Sequence, residues 1–237
     1  MKSKIAGVKN ITRLGDALDA VMTRGAGAEG MVLVYGASGV GKSTALAYYL
    51  NQFDAVYVEA SPAWSLGSMY AAILGGMGIA AKGRAADMER QIVDEMSANN
   101  RPLFIDELDH VLLPGQGTTL RMLEALRSIY DKSRMPVLMC GMDKIDRKLK
   151  LREQLSRRIF QWVAFDDLDA DDARVVADTL CEVGVADDLL ADAFAATAGR
   201  MGRLVPVLAQ IERRAKGNGW KTVDRQQWGG RPWHFGR

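Results

Sequence analysis

Cysteine is scarce, with two in 237 residues. Cys140 lies in an apolar run and Cys181 in a helical pattern, and neither forms part of a CxxC pair. That argues against a disulfide framework and against a cysteine-bound metal. A chain of this length buries enough surface to need no such staples, so both thiols read as packing groups. Long apolar runs are also missing. None approaches the roughly 18 residues that a membrane span needs. The basic stretch Met1 to Lys9 has no apolar segment of signal-peptide type. The expectation is a cytoplasmic protein with no membrane partner. No stretch repeats. Net charge is only +2, so the overall balance points to no partner. Hydrophobic residues at 48% and charged residues at 25% are ordinary for a globular fold.

The charges are unevenly placed. Lys144, Arg147, Lys148, Lys150, Arg152, Arg157 and Arg158 are offset only by Asp146 and Glu153. From Asp166 to Asp192 the sign reverses, and Arg174 is the sole cation. Such asymmetry suits a polyanion-binding face, a head-to-tail match between subunits, or a pair of solvated faces.

One stretch organises the rest. Gly36-Ala37-Ser38-Gly39-Val40-Gly41-Lys42-Ser43 follows the apolar run Met31 to Tyr35 and opens into Thr44 to Leu50. This is the phosphate-binding pattern G-x-x-x-x-G-K-[ST] between a strand and a helix. Glycines let successive backbone N–H groups turn inward at a helix N-terminus and form an anion site. Lys42 has the reach for terminal phosphates, and the Ser43 hydroxyl is a Mg²⁺ ligand type. The second landmark is Leu103-Phe104-Ile105-Asp106-Glu107, an apolar strand ending in two carboxylates. Set beside the phosphate-loop strand, it would bring Asp106 to the Mg²⁺ shell. Glu107 would then orient or deprotonate an attacking water.

Strands at 55–60, 136–141 and 159–165 alternate with helices at 64–79, 85–99, 118–132 and 144–158. The third of these places Leu120, Leu123, Leu126, Ile129 and Tyr130 on its core side, after a loop at 114–117. The alternation predicts an α/β core with a mostly parallel, five-stranded sheet. A short helix at 14–24 precedes it, and Asn10 to Leu14 is either an adenine-wrapping segment or a plain lead-in. From 168 onward the pattern is wholly helical. The expected division is a core over 1–167, an all-α lid over 168–216 and a basic, aromatic tail over 217–237. The tail tryptophans either pack or form a stacking surface with nearby arginines.

Taken together, the phosphate loop, the Asp106-Glu107 strand, Arg157-Arg158 before a strand and the helical lid resemble the AAA+ class of ATPases. Ala198-Gly199-Arg200-Met201-Gly202-Arg203 resembles the segment that carries a second sensor arginine, which implies Arg203 with Arg200 in reserve. Leu155-Ser156-Arg157-Arg158-Ile159 resembles the segment that presents an arginine finger, at Arg157 or Arg158, to a neighbouring subunit. The polar sensor residue usual after the third core strand is missing from Cys140-Gly141-Met142-Asp143. Within the class, the chain is most similar to the phage Mu transposition protein B family of target-selection ATPases. That resemblance implies ATP and Mg²⁺ as cofactors. Its nucleotide contacts would come from Gly36 to Thr44, with Asp106 and Arg203. It also implies non-specific duplex DNA binding, an ATP-dependent homo-oligomeric filament and a transposase partner. The chain begins about 30 residues before the loop, too few for the family's N-terminal DNA-binding domain. DNA contact then falls on the core, with Lys144, Arg147, Lys148, Lys150 and Arg152 as candidates and Arg84 as a weaker one. The alternatives are a switch acting through protein contact and a replication-initiator-like ATPase.

Overall fold

The computed structural model describes residues 1–112 and 117–235, with Gly117 and Thr118 as backbone only. Of the loop expected at 114–117, residues 114–116 lie outside the described residues and Gly117 begins a helix instead. The chain divides into two compact units. The larger holds Leu14–Gly36 and Lys42–Ala164; the smaller holds Met1–Arg13, Ala37–Gly41 and the segment from Phe165 on.

In the larger unit, β1 (Met31–Gly36), β2 (Val56–Glu59), β3 (Leu103–Asp106), β4 (Val137–Met142) and β5 (Ile159–Phe165) form one sheet. Its order is β2-β3-β4-β1-β5, and the pairs β2–β3, β3–β4 and β4–β1 are parallel. The strands are near-continuous apolar runs because helices cover parallel sheets on both faces; every residue of β3 is buried. β4 stands between β3 and β1, so the Asp106 strand is not the neighbour of the phosphate-loop strand, contrary to expectation. Alternation of strand and helix sets the layers but leaves the order to tertiary pairing.

The helices are α1 (Lys9–Met22), α2 (Lys42–Gln52), α3 (Leu66–Gly76), α4 (Ala85–Asn99) and α5 (Gly117–Ser133). α1 starts earlier than expected; its first residues group with the smaller unit. Ser65 caps α3 by accepting from the Ser68 amide at 3.2 Å, which satisfies a helix-end donor and fixes the start. α3 buries Met69, Tyr70, Ile73 and Leu74. Each such side chain contributes about 1.5–3 kcal/mol. On α5 the buried face runs through Met122, Leu123, Leu126, Ile129 and Tyr130, and Leu120 points outward. The expected basic helix at 144–158 is two short pieces, α6 (Ile145–Lys150) and α7 (Glu153–Ser156). Arg152 leaves the helical region at φ −109, ψ 78, which turns Leu151 out to 82% exposure.

The smaller unit holds α8 (Ala170–Leu180), α9 (Asp187–Thr197), α10 (Met201–Gly217) and α11 (Arg225–Trp228). It is not wholly helical. β6 (Gly184–Val185) and β7 (Thr222–Val223) form a parallel two-stranded ladder. Its core joins Val176, Leu189, Leu204, Leu208, Ile211 and Trp228, so the tail residue Trp228 packs. Cys140 and Cys181 are both buried. Among the described residues no helix is long and apolar enough to cross a membrane.

Candidate nucleotide site

The loop after β1 is built on two glycines that take conformations L side chains avoid. Gly39 lies at φ +81 and Gly41 at φ +95. A Cβ on Gly39 would meet nothing within 4 Å, so the requirement there is backbone conformation rather than space. Lys42 opens α2, and its ammonium donates to the Gly36 carbonyl at 2.8 Å. Ser43 and Thr44 follow, both exposed. Residues 37–41 belong to the smaller unit, where the Gly202 amide donates to the Gly39 carbonyl at 2.8 Å. A Cβ on Gly202 would press on the Gly39 backbone at 3.3 Å. The glycine of the sensor-like segment is thus a close-approach residue against the loop.

Asp106 ends β3 and is 3% exposed. One carboxylate oxygen accepts the Glu107 amide at 2.8 Å, and the other accepts the Tyr57 hydroxyl at 3.4 Å. Burial pushes the Tyr57 phenol up to about 12, and the Asp106 charge adds to it. Burial first, and then the charge of Asp106, raise the Cys140 thiol well above its usual value. Glu107 sits in the left-handed region at φ 54, ψ 37, a costly conformation for a residue with a Cβ. Its carboxylate pairs with no described side chain. Two residues on, an Asp109 oxygen accepts the Met142 amide at 2.5 Å. The strand end that lacks a polar sensor residue of its own is therefore tied to the segment after Glu107. His110 is half-buried, with Nδ1 2.9 Å from the Ala60 carbonyl oxygen.

The structure separates the arginines. Arg158 donates to Asp131 at 2.8 Å and to Glu29 at 2.9 Å. Arg157 is 75% exposed and among the described residues its one ion pair is with Glu153, at 3.5 Å. Arg200 lies 3.8 Å from Asp167, whereas the Arg203 guanidinium lies 5.7 Å from the centre of the Phe235 ring. Of the basic cluster, Lys150 pairs with Asp146 at 3.1 Å and Lys148 approaches Asp109 at 3.9 Å. Lys144, Arg147 and Arg152 are exposed and form no ion pair among the described residues. Arg84 is exposed beside the start of α4. Asn10 and Asp166 exchange two hydrogen bonds, at 2.8 and 3.2 Å, which gives the lead-in segment a structural role.

A family model described as an AAA domain matches residues 24–149. The chain belongs to the AAA domain family. The matched span takes in the phosphate loop, Asp106, Glu107 and α6 as far as Leu149, and stops before Arg157. AAA domains are nucleotide-binding ATPase domains. No curated protein sequence matches the chain. Among solved structures, the AAA fold here is similar to the Aeropyrum pernix ORC1 protein in complex with DNA. That match has 16% identity and a TM-score of 0.62, covering 92% of this chain and 62% of that one. It is similar also to the ADP form of Aeropyrum pernix ORC2, at 14% identity and TM-score 0.68, covering 96% and 69%. Domain III of the Thermotoga maritima replication initiation protein DnaA matches at 15% identity and TM-score 0.62, covering 94% and 91%. The chain thus spans less than two thirds of the length of the ORC1 chain. At these identities the likeness is one of fold.

Sequence reasoning about this AAA domain missed Tyr57, Cys140 and Asp109. Tyr57 had a weak signal, since β2 alternates and Tyr57 shares a sheet face with Glu59, which registers with Asp106. Cys140 and Asp109 had none, because both depend on β4 lying beside β3.

Proposed function

We propose that this AAA domain is an ATP-gated switch that binds duplex DNA without reading its sequence, in the manner of a replication-initiator-like ATPase. The reading is carried by the positive-φ loop at Gly39 and Gly41 and, taken by itself in the larger unit, by a buried Asp106 followed by a Glu107 carboxylate with no partner among the described residues. A magnesium–triphosphate suits that donor set: inward backbone amides and an ammonium for phosphate, a hydroxyl and a carboxylate for a hard cation. Gly36 to Thr44 would hold the phosphates, and Ser43 and Asp106 the metal. Bound Mg·ATP supplies the phosphoanhydride that is cleaved. Lys42 neutralises phosphate charge. The Tyr57 hydroxyl holds the Asp106 carboxylate by a hydrogen bond, and Glu107 takes the proton of the attacking water. Arg203 serves as the sensor arginine. Arg157 serves as the finger, because Arg158 is committed to Glu29 and Asp131.

DNA binding is supported by the fold shared with a protein solved on DNA and by the cations Lys144, Arg147 and Arg152, which form no ion pair among the described residues. Assembly of copies on the duplex while ATP is bound follows from a finger that acts between subunits. Delivery of that duplex to a transposase, as the sequence resemblance implies, is a narrower form of the same activity.

The test is polarisation of a labelled random duplex with a non-hydrolysable ATP analogue. Binding should require nucleotide and weaken steeply with salt. Lys42→Ala should abolish it. Glu107→Gln should keep it while cutting hydrolysis at least a hundredfold. Hydrolysis at the wild-type rate in Glu107→Gln would remove Glu107 from the mechanism, and salt-insensitive binding would remove the phosphate contacts.

A further inference from the structure

The segment after β7 folds back along α10 and is held there. The Gln210 side-chain amide donates to the His234 carbonyl, and its oxygen accepts the His234 amide at 3.3 Å. Trp228 is 6% exposed and stacks on Trp233, with centroids 4.8 Å apart and planes 12° from parallel. The Trp228 indole N–H donates to the Arg231 carbonyl at 3.1 Å. Between α10 and this strap lies a cavity of about 430 Å³. Arg213, Arg214 and Arg231 line it together with Trp228, Pro232 and His234, and no Asp or Glu among the described residues does.

Three arginines on one cavity stand out in a unit that carries the acidic run from Asp166 to Asp192. Several cations there are answered: Lys216 by Glu182 and Glu212, Arg225 by Asp192, Arg174 by Asp178 and Asp187. Arg213 and Arg231 are exposed and have no ion pair among the described residues. Arg214 is wedged between ring faces, 5.7 Å from the Trp220 centroid and 6.0 Å from that of Trp228. One of its terminal nitrogens donates to the Gln227 carbonyl at 3.4 Å, whereas its Nε is buried and has no hydrogen-bond partner among the described residues. A buried donor left unmatched costs free energy until an acceptor arrives. Guanidinium groups converging without a carboxylate form a fork geometry suited to phosphate oxygens. Exposed His234 and Phe235 beside the cavity add ring surface of the kind that nucleic acid uses.

We propose that this cavity is a second nucleic-acid contact, which seats a backbone phosphate of bound DNA on Arg213, Arg214 and Arg231. The proposal rests on the DNA-binding reading above and moves part of the contact from α6 to the face of α10. It is tested on the full chain with labelled random duplex and the ATP analogue, from 50 to 300 mM salt. Arg213→Ala/Arg231→Ala removes exposed, unpaired cations, so the fold should persist by circular dichroism. The slope of log K against log salt should become shallower by about 2, and affinity at 150 mM salt should fall about tenfold or more. Arg213→Lys/Arg231→Lys should restore most of the slope, and Lys216→Ala, at a paired cation, should leave it unchanged. A double alanine variant with the wild-type slope and affinity would refute the cavity site while leaving DNA binding standing. Wild-type protein that binds no duplex would overturn both.

Discussion

Arg157 and Arg158 are adjacent, alike in charge and equally placed before β5, yet their substitution should have opposite effects. Arg158→Ala removes two charge-assisted hydrogen bonds, one to Asp131 at 2.8 Å and one to Glu29 at 2.9 Å. In shielded surroundings such bonds are worth about 1.5–3 kcal/mol each, and on an open surface about 0.2–1. Here the side chains are 32%, 25% and 25% exposed, which places each bond near about 1 kcal/mol. Neither carboxylate is left bare. Tyr130 still donates to Glu29 at 2.9 Å, and Arg127 to Asp131 at 2.7 Å. The loss should therefore total about 2 kcal/mol. With a urea dependence of about 2–3 kcal/mol per molar, the unfolding midpoint should drop by about 0.7–1 M. Arg157→Ala removes one 3.5 Å contact between groups 75% and 82% exposed and should leave the midpoint in place. The ATPase assay should read the reverse, with Arg157→Ala inactive at every protein concentration and Arg158→Ala active below its transition. An Arg158→Ala protein with an unmoved midpoint and no ATPase would refute the reasoning, and would make Arg158 the finger.

Two further perturbations follow from the smaller unit. Burial disfavours the charge on Glu212. Hydrogen bonds from the Met1 ammonium, the Glu182 amide and Lys216 outweigh it and hold the carboxyl at about 2, below its ordinary 4.5. A carboxyl depressed in the folded state stabilises above its unfolded value and loses that contribution as pH falls through the folded one. Up to about 3 kcal/mol should therefore vanish between about pH 4.5 and pH 2. Acid titration of thermal stability should show this in the wild type, and the dependence should be blunted in Glu212→Gln. Gly199 and Gly219 share a left-handed backbone, at φ +70 and +71, but not their surroundings. A Cβ on Gly199 would lie 2.4 Å from the Leu168 carbonyl oxygen, and one on Gly219 would meet nothing within 4 Å. Gly219→Ala should cost about 1 kcal/mol, the conformational penalty alone. Gly199→Ala should cost more than about 3 kcal/mol, because backbone must move. Equal melting temperatures for the two variants would contradict this.

What could be read from the chain before folding is the chemistry carried by contiguous residues. Gly36 to Ser43 and Leu103 to Glu107 each hold their whole signal in one short stretch, and the apolar strands Met31 to Tyr35 and Val137 to Cys140 are buried runs in any arrangement. The insertion of β4 between β3 and β1 was not legible, because apolar strands do not encode which neighbour they take. The break at Leu151 and Arg152 was not legible either. No glycine or proline marks it, and a continuous helix would satisfy the same periodicity. The ladder of β6 with β7 joins residues 184–185 to 222–223, two stretches too short to show alternation.

The arginines show where this limit bears on function. In the sequence, Arg157 and Arg158 are interchangeable, and so are Arg200 and Arg203, since a guanidinium is charged in every setting at neutral pH. What distinguishes them is the position of carboxylates remote in sequence. Glu29 and Asp131 claim Arg158, and Asp167 approaches Arg200. A cation that must stabilise a charge arriving with a ligand has to lack a strong internal partner, because any such partner would have to be displaced first. By that criterion the proposed finger and sensor roles go to Arg157 and Arg203, and the proposed phosphate seat to Arg213 and Arg231, none of which has a strong partner among the described residues. Arg158 is spent on holding β5 to the core. The same criterion reduces the five cations between Lys144 and Arg152 to Lys144, Arg147 and Arg152. Charge counted along the chain therefore overstates the basic face of the larger unit, and understates that of the smaller one, where the acidic run from Asp166 to Asp192 obscures an arginine-lined cavity.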